Sequence, residues 1–290
     1  GHVEVLDEAE AAAIAASLQG ELVSLYETIA LAVADDAEAH VRLLLRLARL
    51  LDGMGEVDAA LAHYRTILEN DPSNAEAANA YEASLTRLGR WDDLLGLLEA
   101  KFEVASGTPE RISLLKAIAV LHDEQRNDAA AAIGRYADIL NEAPSDVDAL
   151  RALRRLYRDA GDGAALTDVL SRLAAQSQGA AAVDLKVELA GARVDLLGDA
   201  SGGVDLLEEV LAQDPSNLAA RSMLEALLEV EEQRARAARL LEPLYEADQR
   251  WSDLARVLEI MLGYELDTRK QSALLTRIGS LMTERMGDLE

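Results

Sequence analysis

Apolar residues along this chain recur at the spacing of a buried helical stripe. In the best-formed stretch Leu44, Leu47, Ala48 and Leu51 fall at i, i+3, i+4 and i+7, one face of an α-helix. Gly53 and Gly55 interrupt the stripe, and Ala60, Tyr64 and Ile67 resume it. Asp71-Pro72 ends that second helix, because proline lacks an N–H and clashes with the preceding turn. Ser73 or Asn74 can then cap the next helix. The alternation of stripe and break predicts about sixteen helices, near 4–18, 20–34, 37–52, 56–70, 75–88, 91–105, 109–124, 127–141, 147–160, 163–177, 180–197, 200–213, 218–231, 233–248, 251–264 and 268–286. Pro243 is expected to kink the fourteenth.

The breaks themselves repeat. Asp71-Pro72-Ser73-Asn74 returns as Ala143-Pro144-Ser145-Asp146 and as Asp214-Pro215-Ser216-Asn217, a period of about 72 residues. A fixed long period means stacked supersecondary units that bury their apolar faces against neighbours. The unit from Val41 to Asn74 resembles the tetratricopeptide repeat, a helix–turn–helix. Leu44, Leu47, Ala48, Leu51, Gly55, Ala60, Tyr64, Ile67 and Pro72 carry the resemblance. Later units repeat it with decay, for example Tyr81, Leu85 and Gly89, or Ala132, Tyr136, Ile139 and Pro144. The resemblance implies an all-α fold, a right-handed α-solenoid of about eight hairpins. It would form a single solenoid over 1–290, with a degenerate repeat at 1–36, tetratricopeptide-like repeats at 37–250 and a C-terminal repeat or cap at 251–290.

A second match is independent of the first. Residues 90–128 align without gaps on 250–288, with Arg90-Trp91-Asp92-Asp93-Leu94 facing Arg250-Trp251-Ser252-Asp253-Leu254. Between Pro72 and Trp91 there is room for one helix, and between Pro215 and Trp251 for two. The Trp91 helix is then the second of a pair and the Trp251 helix the first, so the two are expected to face opposite sides of the solenoid. Each Trp reads as repeat packing or as a peptide anchor.

Composition narrows the function. The net charge is −25, which argues against phosphate-backbone recognition and so against nucleic acid, and against an anionic membrane surface. A basic partner, or acidity that keeps a Leu-rich surface soluble, both fit. There is no cysteine, so no disulfide or thiolate metal site. No stretch suits a membrane span. Gly1-His2 and Leu289-Glu290 look like cloning additions around a piece of a longer protein. Arginine outnumbers lysine and alanine abounds, as in a high-GC bacterial genome. A cytoplasmic location is expected, and a periplasmic one stays open.

No catalytic constellation is visible. Phosphate-binding loops, His-Glu-x-x-His and nucleophile elbows are all missing, and His2, His40, His63 and His122 contain no i, i+4 pair. No enzyme activity, cofactor or metal is expected, and His122 reads as a packing residue. One basic stripe stands out: Arg151, Arg154, Arg155 and Arg158 follow i, i+3, i+4, i+7. Guanidiniums bind carboxylates bidentately, and the resemblance puts Arg151, Arg155 and Arg158 on the concave, groove-lining side. An acidic peptide in the groove is one reading. Internal pairing with Glu188 and Asp195 is the other. The same face would carry Arg42, Leu45 and Arg49, Asn79 and Thr86, and Lys116 and Asp123. The family's carboxylate clamp for chaperone tails is not recognisable in this set.

The expected function is a non-enzymatic scaffold that binds a protein or peptide along the groove. Two alternatives stay open. One is a self-assembling solenoid that stacks through its terminal repeats, since Leu274, Leu275, Ile278, Leu281 and Met282 have no repeat after them. The other is a regulatory domain of a larger protein.

Overall fold

The computed structural model describes residues 2–285, without the side chains of residues 2–7 and 9. Gly1, Leu289 and Glu290, and Asp288 of the internal alignment, lie outside the described residues, as does the side chain of His2. The chain divides into two compact units, Gly1–Arg135 and Tyr136–Glu290. Among the described residues there are sixteen α-helices and no strand.

The first unit holds α1 (His2–Ala15), α2 (Gln19–Ala32), α3 (Ala37–Met54), α4 (Val57–Asn70), α5 (Ala75–Leu88), α6 (Trp91–Val104) and α7 (Thr108–Val120). A π-helical stretch, Leu121–Gln125, continues α7, and α8 (Ala129–Glu142) runs across the division. The second unit holds α9 (Val147–Ala160), α10 (Gly163–Gln176), α11 (Gly179–Leu197), α12 (Ala200–Gln213), α13 (Leu218–Leu227), α14 (Glu231–Ala247), α15 (Trp251–Tyr264) and α16 (Thr268–Glu284). From α1 to α7, and again from α9 to α16, each helix packs on the next. This is the all-α helical-repeat architecture that the stripes imply.

The helix ends follow local chemistry. Asn74, Asp146 and Asn217 each accept a hydrogen bond from the N–H three residues on, at 3.0, 2.9 and 3.0 Å, and so satisfy a donor that the helix leaves free. In the two Asp-Pro-Ser-Asn junctions the aspartate adds more. Asp71 accepts from the Ser73 hydroxyl at 2.7 Å and Asp214 from the Ser216 hydroxyl at 2.6 Å, and these bonds hold both carboxyls below their ordinary value.

Three boundaries differ by three residues or more from the sequence expectation. α1 ends at Ala15 rather than near 18, because Ser17 takes φ 58° and its turn closes there. α13 ends at Leu227 rather than near 231, where Glu229 and Val230 donate to carbonyls only three residues back. The last turn of α7 widens into the π stretch, with the Arg126 N–H reaching the Leu121 carbonyl. No Gly or Pro marks any of these three places. Pro243 lies inside α14, which stays helical to Ala247.

Small residues let helices approach. Ala48 and Ala60 are wholly buried where α3 meets α4. In the second unit a Cβ on Gly203 would come within 2.5 Å of the Val194 side chain, so only glycine fits between α11 and α12. One helix, α5, separates Pro72 from Trp91, while α13 and α14 separate Pro215 from Trp251. The extra helix of the second register is therefore present.

Candidate interaction site

Arginine dominates the candidate positions, and most of the arginines are used internally. Ion pairs tie helices about one hairpin apart. Arg49 of α3 pairs with Glu76 of α5, and Arg87 of α5 with Asp52 of α3. Arg236 of α14 reaches Asp205 and Glu208 of α12, each at 2.6 Å. Arg277 of α16 holds Glu242 and Glu246 of α14. Exposed pairs of this kind each contribute only about 0–1 kcal/mol. They do decide which guanidiniums remain available to a ligand.

The first unit has a cleft of about 360 Å³ with a mostly apolar lining, where Ile29, Val33 and Leu43 meet Arg42, Arg46, Arg49 and Glu76. Two of the predicted residues, Arg42 and Arg49, thus come together here with Leu45. Arg42 pairs with Glu38 at 2.8 Å. Arg46 was not singled out in the sequence, although it shares a face with Arg42 and Arg49. It pairs with Glu10 at 3.2 Å. Glu10 also accepts from the Tyr26 hydroxyl at 2.7 Å. Burial and that bond push the Tyr26 hydroxyl up to about 12. The result is a tie between α1, α2 and α3. Asn79 is exposed on α5 and Lys116 is half-buried on α7; neither lines this cleft.

The second unit has a cleft of about 440 Å³ lined by α9, the end of α10 and α11, including Arg151, Arg154, Gln176 and Asp184. The basic stripe divides here. Arg154 and Arg158 both hold Glu188 of α11, with Arg154 Nε donating at 3.0 Å. Arg155 faces Asp159 at 3.9 Å along its own helix. Arg151 is exposed and makes no hydrogen bond or ion pair among the described residues. Internal pairing through Glu188 is present, while Asp195 is exposed and takes no part in it. Sequence reasoning placed Arg154 in the basic stripe but not on the groove side, and left out Gln176 and Asp184. Nothing local tells a reader that α10 and α11 bring Gln176 and Asp184 beside Arg154.

Residues 42–74 match the tetratricopeptide repeat family. The match covers one repeat, α3 and α4, within the helical-repeat fold of the described residues. Tetratricopeptide-repeat proteins generally mediate protein–protein interactions. The chain is 30% identical over 199 residues to cellulose synthase 2 operon protein C of Komagataeibacter xylinus, covering 69% of this chain and 13% of that protein. Among solved structures it is similar to a tetratricopeptide repeat protein from Parabacteroides merdae, with 16% identity, 95% of this chain and 98% of that chain covered, and a TM-score of 0.35. It is also similar to YrrB, a tetratricopeptide protein described as having an unusual peptide-binding site, with 14% identity, 65% and 93% coverage and a TM-score of 0.38. Neither structure says what this chain binds. Among the described residues no helix is long and apolar enough to cross a membrane.

Proposed function

We propose that the chain is a non-catalytic scaffold and that the face of α9 and α11 binds a carboxylate-bearing segment of a partner protein. The observation that supports this is Arg151, an exposed guanidinium without a partner among the described residues, at a cleft of about 440 Å³. In a chain with 53 acidic and 28 basic side chains, most guanidiniums find an acid. One that does not is available to a ligand carboxylate, with Arg154 beside it to fix orientation. Rigid helices on both sides would limit the entropy lost on binding.

Fluorescence anisotropy with labelled acidic, neutral and basic peptides of equal length tests this. The acidic peptide is expected to bind tightest, and Arg151→Glu to weaken it by roughly tenfold or more, while Arg155→Glu has the smaller effect. Equal binding of all three peptides, unchanged by Arg151→Glu, would sink the proposal.

The 30% identity to a cellulose-synthase-operon protein favours a second reading, in which the scaffold serves a cellulose-producing assembly. Substituting this chain for the matching segment of the Komagataeibacter protein and measuring cellulose output would check it. Loss of output would count against it.

A further inference from the structure

The cleft of α9, α10 and α11 carries opposite charge on its two sides. On α9, Arg151 is exposed and without a partner among the described residues. Arg154, one turn further on, lines the same cleft and is held by Glu188. On α11, Asp184 lines the cleft as well. It is exposed, and it too makes no hydrogen bond or ion pair among the described residues. The next charged groups along α11 are engaged. Lys186 holds Glu209 at 2.8 Å, and Glu188 takes up Arg154 and Arg158. Two open charges of unlike sign therefore stand at one cleft and do not reach each other.

The end of α10 reinforces the negative side. The helix stops at Gln176 with no Lys or Arg in its last turn, and Gln176 and Ser177 both line the cleft. The C-terminal end of a helix carries partial negative charge and favours a cation. Apolar surface lies between the charges, from buried Leu173 and half-buried Leu185.

We infer that the segment bound here presents a carboxylate and a nearby ammonium or guanidinium. The carboxylate meets Arg151, with Arg154 beside it, and the cation meets Asp184 and the end of α10. A second carboxylate in place of the cation would face Asp184, and like charges brought together weaken a complex. Asp184 thus acts on specificity, rejecting one kind of neighbour to the carboxylate and accepting the other. The inference rests on the proposed peptide binding at Arg151 and adds the charge pattern of the partner.

Fluorescence anisotropy of the whole chain with end-blocked peptides tests it. One peptide carries a glutamate and, two residues away, a lysine, which puts both side chains on one side of an extended segment. Its control has norleucine in place of the lysine. The lysine peptide is expected to bind about threefold to tenfold tighter than the control in at least one order of the two charges. Asp184→Asn is expected to abolish that difference and Asp184→Lys to reverse it. Asp184 is exposed and unpaired among the described residues, so both variants are expected to fold, and circular dichroism would confirm it. If Arg151→Glu weakens the control but lysine adds nothing, or its gain survives Asp184→Asn, this inference is overturned and the proposed function stands. If no peptide responds to Arg151→Glu, both are overturned.

Discussion

Arg90 and Arg250 enter their helices with nearly the same backbone, φ −83° and ψ 67° against φ −79° and ψ 72°. Both guanidiniums do the same two things. Each Nε donates to the aspartate three residues on, at 2.6 and 2.7 Å. Each also reaches back to the helix two before its own, Arg90 to Asp58 of α4 and Arg250 to Glu225 of α13, both at 2.9 Å. Matching sequence has produced matching local structure in two separate units. The segments diverge where support comes from elsewhere. Gly89 supplies the positive φ before Trp91 at 68°, but Gln249 must adopt 58° before Trp251. The turn before α7 has Ala105-Ser106-Gly107 without a side-chain cap, whereas Asp267 caps α16. The apolar face of α7 is interior, while part of the equivalent face of α16 is exposed. Sequence similarity therefore carries over the first-order structure, and burial is set by neighbours.

The sharpest way to break this comparison is to truncate the aligned leucines. Leu115→Ala is expected to cost about 2–5 kcal/mol, since it empties a filled site. Leu275→Ala, at 56% exposure, is expected to change stability by less than about 0.5 kcal/mol in dilute monomer. Urea titrations of both variants compare them directly, and equal losses would mean that the two faces are equally covered.

A smaller effect is expected at the turns. Gly89→Ala puts a Cβ at φ 68°, beside the Trp91 ring at 3.7 Å, and is expected to cost about 1 kcal/mol. Gln249→Gly removes the same strain and is expected to gain about 0.5–1 kcal/mol, net of the entropy that glycine adds to the unfolded chain. Thermal melts with opposite signs would support the comparison, and a loss at both positions would refute it.

The smallest effect is electrostatic. The Asp267 and Leu266 N–H groups donate to Glu265 and hold its carboxyl below the ordinary value. Folding therefore favours the ionised form. Its contribution is present above the unfolded value, at neutral pH, and is lost as pH falls through the folded value. The aligned Ala105 has nothing to titrate. Acidification is expected to loosen the α15–α16 turn and leave the α6–α7 turn unchanged, with Glu265→Gln removing the difference. Amide hydrogen exchange of Leu266 and Asp267 against Ser106 and Gly107 across acidic pH measures it.

Much of the fold was legible because helix ends are local events. Asn74, Asp146 and Asn217 act within three residues of themselves, and so do the glycines and prolines that punctuate the hairpins. The misplaced ends at Ala15 and Leu227 and the π turn at Leu121–Gln125 carry no such residue, and the turn there is set by backbone geometry and packing. The candidate site was legible only in part. Periodicity put Arg42 and Arg49 on one face of α3, and the groove side of α9 was assigned to Arg151 only by the resemblance. Glu188, which takes up Arg154 and Arg158, could be suspected but not chosen over Asp195.

The sequence by itself determined the helices, their pairing into repeats and the extra helix after Pro215, because these depend on interactions within about one turn and on a period that the chain repeats. Tertiary structure alone decided which guanidiniums are consumed and which aligned leucines are covered. Those outcomes depend on groups about thirty residues apart, or on a neighbour's presence. At that range two similar stretches of sequence have different surroundings.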